Sequence, residues 1–228
     1  MTRTWISNHR PHERLTRHRH VDAYAAVVLA GGYVEAGDSG RMHMQPGQFV
    51  VHHAYEAHQD HFSSLGAVVL NVPLIHKLDM VTGVVADPDA ISRLAERDVR
   101  AAAALLSETS QPLDAQLTDW PDQLAAALAS EAVASLEEWA ENMGLAPQSI
   151  SRGFRRAYGV SPKRYRLEQR TLRALRKLRN WRGSLATLAF ECGFSDQAHL
   201  TRAVVALTGV APNQLKVKSL QEGCRSWG

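Results

Sequence analysis

Two sets of side chains in this sequence could do chemistry, and they lie in opposite halves of the chain. Ten of the eleven histidines fall before residue 80. His18 and His20 are spaced i, i+2, so a strand would place both imidazoles on one face. His52, His53, His58 and His61 form a second group forty residues on. Imidazoles clustered in this way can ligate a divalent metal or give a ligand pocket its polar lining. In the other half, Gln148, Ser149, Ser151, Arg152 and Arg155 share the polar face of one helical stretch. Gln197, Ala198, Thr201 and Arg202 share that of another. Arg suits guanine, Gln suits adenine, and hydroxyls suit either base or a phosphate. The chemistry expected of these two faces is recognition of duplex DNA.

The elements that carry the second set occur twice. Ser135–Pro162 and Ser184–Pro212 each read as a short amphipathic helix, a turn containing Gly, a second helix, and Gly-Val-x-Pro. Ala140/Ala189, Gly144/Gly193, Ile150/Leu200 and Arg152/Arg202 align, with one extra residue after the second Gly. Leu136, Trp139 and Ala140, then Ile150 and Phe154, give the first unit an inward face. Leu185, Leu188, Ala189, Leu200 and Val204 do the same for the second. Ser135 and Ser195 or Asp196 are expected N-caps, and Pro147 suits a first helical turn. Between the units runs KRYRLEQRTLRALRKLR, a basic helix expected to link them and to contact phosphates. One helix-turn-helix pattern is weak, because many helical hairpins mimic it. Two copies joined by a basic helix are strong.

The first half reads as short strands over residues 15–75. Tyr24–Leu29 ends at Gly31-Gly32, and Tyr33–Ala36 ends at Gly37-Asp38-Ser39-Gly40. Pro46-Gly47, Phe49–Val51 and Ala67–Val72 follow, a spacing that suggests a barrel or sandwich. Pro88–Leu106 reads as one helix, and Asp119 with Pro121 opens another that runs to about Ser130. We therefore expect an α+β chain. Residues 1–85 form a small β-barrel domain, 86–130 a helical linker and candidate dimerisation segment, and 131–228 an all-α domain with two helix-turn-helix units. Charge divides the same way. Residues 1–129 hold ten Lys/Arg against fifteen Asp/Glu, a net of −5, whereas 130–228 hold sixteen against eight, a net of +8. A basic module for nucleic acid joined to an acidic partner domain would look like this. The two cysteines, Cys192 and Cys224, cannot build a disulfide framework or a thiolate zinc site. No apolar run approaches a membrane span, and the N-terminus has no signal-peptide core, so a soluble cytoplasmic protein is the expectation.

With its two units, the stretch Gly193–Arg202 (GFSDQAHLTR) and the following Gly209-Val210-Ala211-Pro212, the chain resembles the AraC/XylS family of bacterial transcription regulators over residues 130–218. The resemblance implies seven helices, with two recognition helices in successive major grooves. By family position Gln148, Ser151, Arg152, Gln197, Thr201 and Arg202 are the base readers. Ala146 stands where that family often has a capping Ser, and Val204 where Phe is usual. The stretch His18–His61 resembles the small cupin barrel that many such regulators carry, through His18-Arg19-His20, Gly40-x5-Pro46-Gly47 and His58. That resemblance implies a metal site of His18, His20 and His58 for zinc, iron or nickel. The carboxylate position falls near Tyr24 or Ala25, where there is none, so Glu56 or His52 would have to stand in. Without metal, His18, His20, Tyr24 and His58 would contact an organic effector.

The leading reading is a non-enzymatic, sequence-specific DNA-binding regulator controlled by a small organic molecule or a metal in the barrel. RNA polymerase is a candidate partner, and the chain is a monomer or homodimer. The alternative is a metal-dependent cupin enzyme fused to a DNA-binding module. A third reading is a structural DNA-binding protein with a ligandless barrel.

Overall fold

The computed structural model describes residues 5–75, 78–133 and 135–215. The sheet comes first: β1 (Trp5–His9), β2 (Arg14–Arg19), β3 (Tyr24–Gly37), β4 (Gly40–Met44), β5 (Gln48–His52), β6 (Ala57–Pro73) and β7 (Thr82–Val84). Helices α1 (Pro88–Ala95) and α2 (Val99–Thr109) follow, then a two-residue strand β8 (Gln111–Pro112) and α3 (Trp120–Ala129). The remainder is α4 (Leu136–Asn142), α5 (Pro147–Tyr158), α6 (Pro162–Leu178), α7 (Leu185–Glu191) and α8 (Gln197–Thr208).

Two long strands, β3 and β6, run antiparallel as the spine of the sheet. One half of β6 pairs with β1 and the other with β2, and β3 divides itself between β5 and β4 in the same way. The Gly31-Gly32 pair, expected to separate two strands, lies inside β3. There the register slips twice, between Val28 and Ala30 and between Gly31 and Tyr33. Gly31 has φ +72°, and a Cβ on it would sit 2.1 Å from the Gly66 carbonyl oxygen. The chain bends sharply here without ending the strand. All strand pairs are antiparallel, and among the described residues no ladder joins the two edges. The expected barrel is therefore one strongly curled sheet.

The slips decide which residues face the concave side. Tyr24, Ala26 and Val28 face it before the bend. After the bend the parity changes, and Tyr33 and Glu35 face it instead. β2 has its own slip between Leu15 and His18, which turns Leu15 and His18 to the same side.

The convex side is covered at both ends. Ala25, Val27, Phe49, Val51, Leu70 and Val72 pack against Ile91, Ala95, Ala102, Ala103 and Leu106 of α1 and α2. Residues 88–106 are thus two helices rather than the expected one. The chain turns after Ala95, and Asp98 caps α2 by accepting from the Arg100 and Ala101 amides. At the other end Ala36 joins Leu124, Ala125, Leu128, Ile150, Phe154, Tyr158 and Tyr165 in one core. The segment expected as a single helical linker accordingly divides. Its first two helices belong to the sheet, and α3 belongs to the helical core.

The helical units fold as their sequences require. Ser135, Ser161, Ser184 and Asp196 cap their helices with side-chain acceptors. Ala146 precedes α5 with no side-chain cap. Asp119 also makes no cap bond and is drawn instead to Arg41 at 2.8 Å. Gly144 and Gly193 supply the left-handed turns, at φ +65° and +75°. Val204 is fully buried with Leu178, Leu188, Ala189, Cys192, Phe194 and Leu200. Burying an apolar side chain of that size is worth about 1.5–3 kcal/mol. Cys192 lies in this core, where burial raises its thiol pKa, and Cys224 lies outside the described residues.

Candidate nucleic-acid interface and ligand cavity

On α5, Ile150, Phe154 and Tyr158 take the inner face. Gln148, Ser149, Ser151, Arg152, Arg155 and Arg156 are exposed. Among the described residues none of these three arginines has a carboxylate partner within ion-pair distance, so their charges are available to an external anion. On α8, Gln197, Ala198 and Arg202 are exposed and Thr201 is half-buried. Arg202 lies toward α6, where it lines a groove of about 170 Å³ with Arg164, Leu167, Glu168 and Thr171. His199, expected either at phosphate or against the core, is half-buried. Its Nδ1 is 3.1 Å from the Ser195 hydroxyl and its ring meets Phe194 edge-on.

The basic helix α6 departs from expectation. Most of its cations on the described protein surface are already engaged internally. Arg164 pairs with Glu168 at 2.7 Å, Arg170 and Arg173 with Glu131 at 3.0 and 3.2 Å, and Lys177 with Glu191 at 3.0 Å. Arg173 also donates to the Ala129 carbonyl, Arg170 to that of Gly193 and Arg166 to that of Val133. These carbonyls lie at and beyond the ends of α3 and α7, where a cation also meets the helix dipole favourably. The helix clamps the two units together, and among the described residues Lys163 and Arg176, with Arg179 just past its end, have no carboxylate partner.

The concave side of the sheet holds a cavity of about 110 Å³. His18 and His20 enter from β2 and its end, Tyr24 and Glu35 from β3, His52 from β5, and His58 and Asp60 from β6. The sequence-selected set His18, His20, Tyr24 and His58 does come together. The His18 and His58 rings are 4.3 Å apart, His18 and His20 4.9 Å, and the Tyr24 hydroxyl is 3.2 Å from His58 Nε2. Ligand atoms of His18, His20 and His58 lie within 4.8 Å of one another, as do those of Glu35, His52 and His58. His53 and His61 point outward, as alternation requires.

Glu35 is the residue the sequence reading missed. It is 2% exposed, and its carboxylate is 3.4 Å from His52 Nε2 and 3.8 Å from His58 Nδ1. Of the two stand-ins considered, His52 is present. Glu56 is turned away to the Ser39 hydroxyl and the His53 amide. Burial pushes the Glu35 carboxyl up to about 8, with His58 opposing and Asp60 adding to the shift. Burial also lowers His52 to about 4, and burial with His58 and His18 lowers His20 to about 4. His18 is lowered for the same reasons, burial first and then His58. Lowered in this way, the three imidazoles favour the neutral form that presents a lone pair.

Between the sheet and the helices lies a buried ionic cluster. Arg17 on β2 binds Asp38, in the β3–β4 turn, and Glu168 of α6 at 2.9 Å. Arg19 reaches Asp38 at 3.5 Å and Glu168 at 3.4 Å. Gln169 donates to the Asp38 carbonyl at 2.9 Å, and Gln59 of β6 donates to that of Ala157 at 2.8 Å. Burial favours protonation of Glu168, but Arg17, Arg164 and Arg19 together hold its carboxyl below the ordinary value. A second tie runs from Arg41 on β4 to Asp122 on α3 at 2.9 Å, and from Asp122 to the Tyr158 hydroxyl at 2.8 Å.

Two helix-turn-helix units clasped by one basic helix, docked on a curled sheet with its own cavity, define a two-domain protein with a nucleic-acid-reading end. Residues 139–217 match the family described as a helix-turn-helix domain. The arabinose operon regulatory protein of Escherichia coli (strain K12) is 27% identical over 161 residues, 71% of this chain and 53% of that protein. The virulence regulon transcriptional activator VirF of Yersinia enterocolitica is 29% identical over 85 residues, 37% of this chain and 31% of that one. The crystal structure of unsaturated fatty acid bound ToxT from Vibrio cholerae aligns with a TM-score of 0.43 at 10% identity, covering 94% of each chain. The chain spans about half the length of the arabinose regulators it matches. In these comparisons the chain is similar to AraC-type regulators, as its two helix-turn-helix units led us to expect. No helix among the described residues is long and apolar enough to cross a membrane.

Proposed function

We propose that this chain is a DNA-binding transcription regulator that reads duplex DNA with α5 and α8 and is controlled by a small ligand held in the sheet. The observation that carries the reading is the exposed, unpaired row of Gln148, Ser149, Ser151, Arg152 and Arg155 on the first of two matched units. Gln197, Ala198, Thr201 and Arg202 offer the corresponding surface on the second. Selection of bound sequences from random duplexes by the full chain tests it. A sequence-specific site with strongly salt-dependent affinity is expected. Equal affinity for all duplexes would overturn it.

The cavity suits a divalent metal as its ligand. Its donors are imidazoles and a carboxylate, a set suited to zinc, iron or nickel. His18 Nδ1 is 2.9 Å from the Thr16 carbonyl and His58 Nδ1 is 3.1 Å from Asp60, the outer partners that orient ligating histidines. Glu35 and His52 each keep a buried polar atom with no hydrogen-bond partner. Elemental analysis of tag-free protein should find stoichiometric metal, lost in His18→Ala and His58→Ala. Metal-free wild-type protein would leave the cavity to an organic effector of a few heavy atoms. With Glu35 in place, the donor set would also serve a metal-dependent enzyme. We read it as a sensor because the same strand that carries His18 docks the DNA-reading domain.

A further inference from the structure

Strand β2 has two working faces. His18 and His20 look into the cavity, while Arg17 and Arg19 look out toward α6 and the end of α5. We propose that β2 is the relay between the cavity and the first recognition helix, with Arg17 as the positioning residue. This rests on the cavity being a ligand site and names how its state reaches the DNA-reading surface.

Three observations carry it. The first is contact. Arg17 donates to the carbonyl of Tyr158, the last residue of α5, at 3.5 Å. A Cβ on the adjacent Gly159 would come within 3.1 Å of the Arg17 Cβ and 2.4 Å of the Gln59 side chain. The sheet therefore abuts the C-terminus of α5, one of the two helices that read DNA.

The second is the chemistry of the cluster. The side chains of Arg17, Asp38 and Glu168 are 8%, 0% and 6% exposed. Buried ion pairs are poor sources of net stability, because desolvation offsets most of their attraction, and an apolar contact would hold the domains as firmly. What charged groups add is geometric selectivity. Arg17 satisfies two carboxylates from different elements at once, so the docking holds only for one placement of β2.

The third is the β2 bulge. The slip between Leu15 and His18 puts His18 opposite His58 and Arg19 opposite Ala57, and Asp38 accepts from the Ala57 amide at 2.7 Å. The pairing that sets the histidines also sets the arginines. A displacement of β2 that draws the His18 and His20 rings toward a ligand would carry Arg17 and Arg19 with it, away from Asp38 and Glu168.

Hydrogen exchange on the full-length chain without DNA tests this, with His18→Ala as the perturbation inside the cavity. The relay predicts exchange about fivefold or more faster at the Tyr158 and Gly159 amides, with the α8 amides unchanged. In an Arg17→Gln background the response of α5 to His18→Ala should vanish, and Arg17→Lys should restore part of it. If Arg17→Gln fails to fold, Glu168→Gln removes the same link from the other side. Equal acceleration in α5 and α8 would mean general destabilisation and overturn the relay, as would no response in α5 or one that persists without Arg17. The readout needs no DNA, so failure of the relay is distinguishable from failure of the DNA-binding reading.

Discussion

Arg152 stands clear of the protein in the middle of α5, on the face opposite Ile150 and Phe154. Replacing it with Ala should cost about 1–3 kcal/mol of affinity for the preferred duplex and relax discrimination at one base position. Binding titrations on preferred and scrambled duplexes would show it, and equal losses on both would make Arg152 a phosphate contact. Gly31→Ala probes the fold. It adds a Cβ at φ +72° that meets the Gly66 carbonyl. A loss of about 1–3 kcal/mol is expected in denaturant unfolding, and an unchanged midpoint would mean that the bend is not a fixed part of the sheet. At this scale the sequence marked His18, His20, Tyr24 and His58 correctly as neighbours. It missed Glu35 because the double slip at Gly31 inverts strand parity. Read as two separate strands, Tyr24–Leu29 and Tyr33–Ala36 gave no relation between the faces of Tyr24 and Glu35. The usable signal was Tyr33-x-Glu35 read as a fresh alternation after the Gly-Gly pair.

Helices are where sequence patterns speak most directly, and both units stand with the caps and turns their residues dictate. Ala146 is the exception, since α5 begins with no side-chain acceptor for its first amides. Ala146→Ser should stabilise the chain by about 1 kcal/mol, seen as a higher Tm; no gain would mean that other groups already satisfy that terminus. Two element-level expectations failed for physical reasons. Residues 88–106 carry continuous helical periodicity, yet Asp98 offers a second cap, and two short helices cover the curved sheet where one straight helix could not. The arginines of α6 looked like a phosphate-binding run, but apart from Glu168, which pairs with Arg164 on α6 itself, the carboxylates and helix-end carbonyls that engage its cations come from α3, α7 and the loops beside them. Such partners are remote in sequence and invisible to a local reading.

Across the whole molecule residues 1–129 are acidic and 130–228 basic, while α3, inside the acidic count, packs into the helical core. The sequence could not show how the halves meet. That interface includes Arg17, Arg19, Asp38, Arg41, Gln59, Asp122, Glu168 and Gln169, paired across up to 151 positions of sequence, and they form no motif. Removing Arg17 outright leaves two buried carboxylates without their main counter-charge. Arg17→Ala should cost about 3–5 kcal/mol of stability in equilibrium unfolding. A loss under about 1 kcal/mol would place the cluster in solvent-like surroundings.

On the function proposed here, one chain reads DNA with both helix-turn-helix units. Recognition helices in successive major grooves stand about one helical turn, roughly 34 Å, apart. Footprinting of the full chain on its selected site tests this most directly, with Arg152→Ala and Arg202→Ala beside the wild type. Protection well beyond about ten base pairs is expected, with each substitution weakening a different end of the site. Protection shorter than about ten base pairs, or two substitutions acting on the same end, would contradict it.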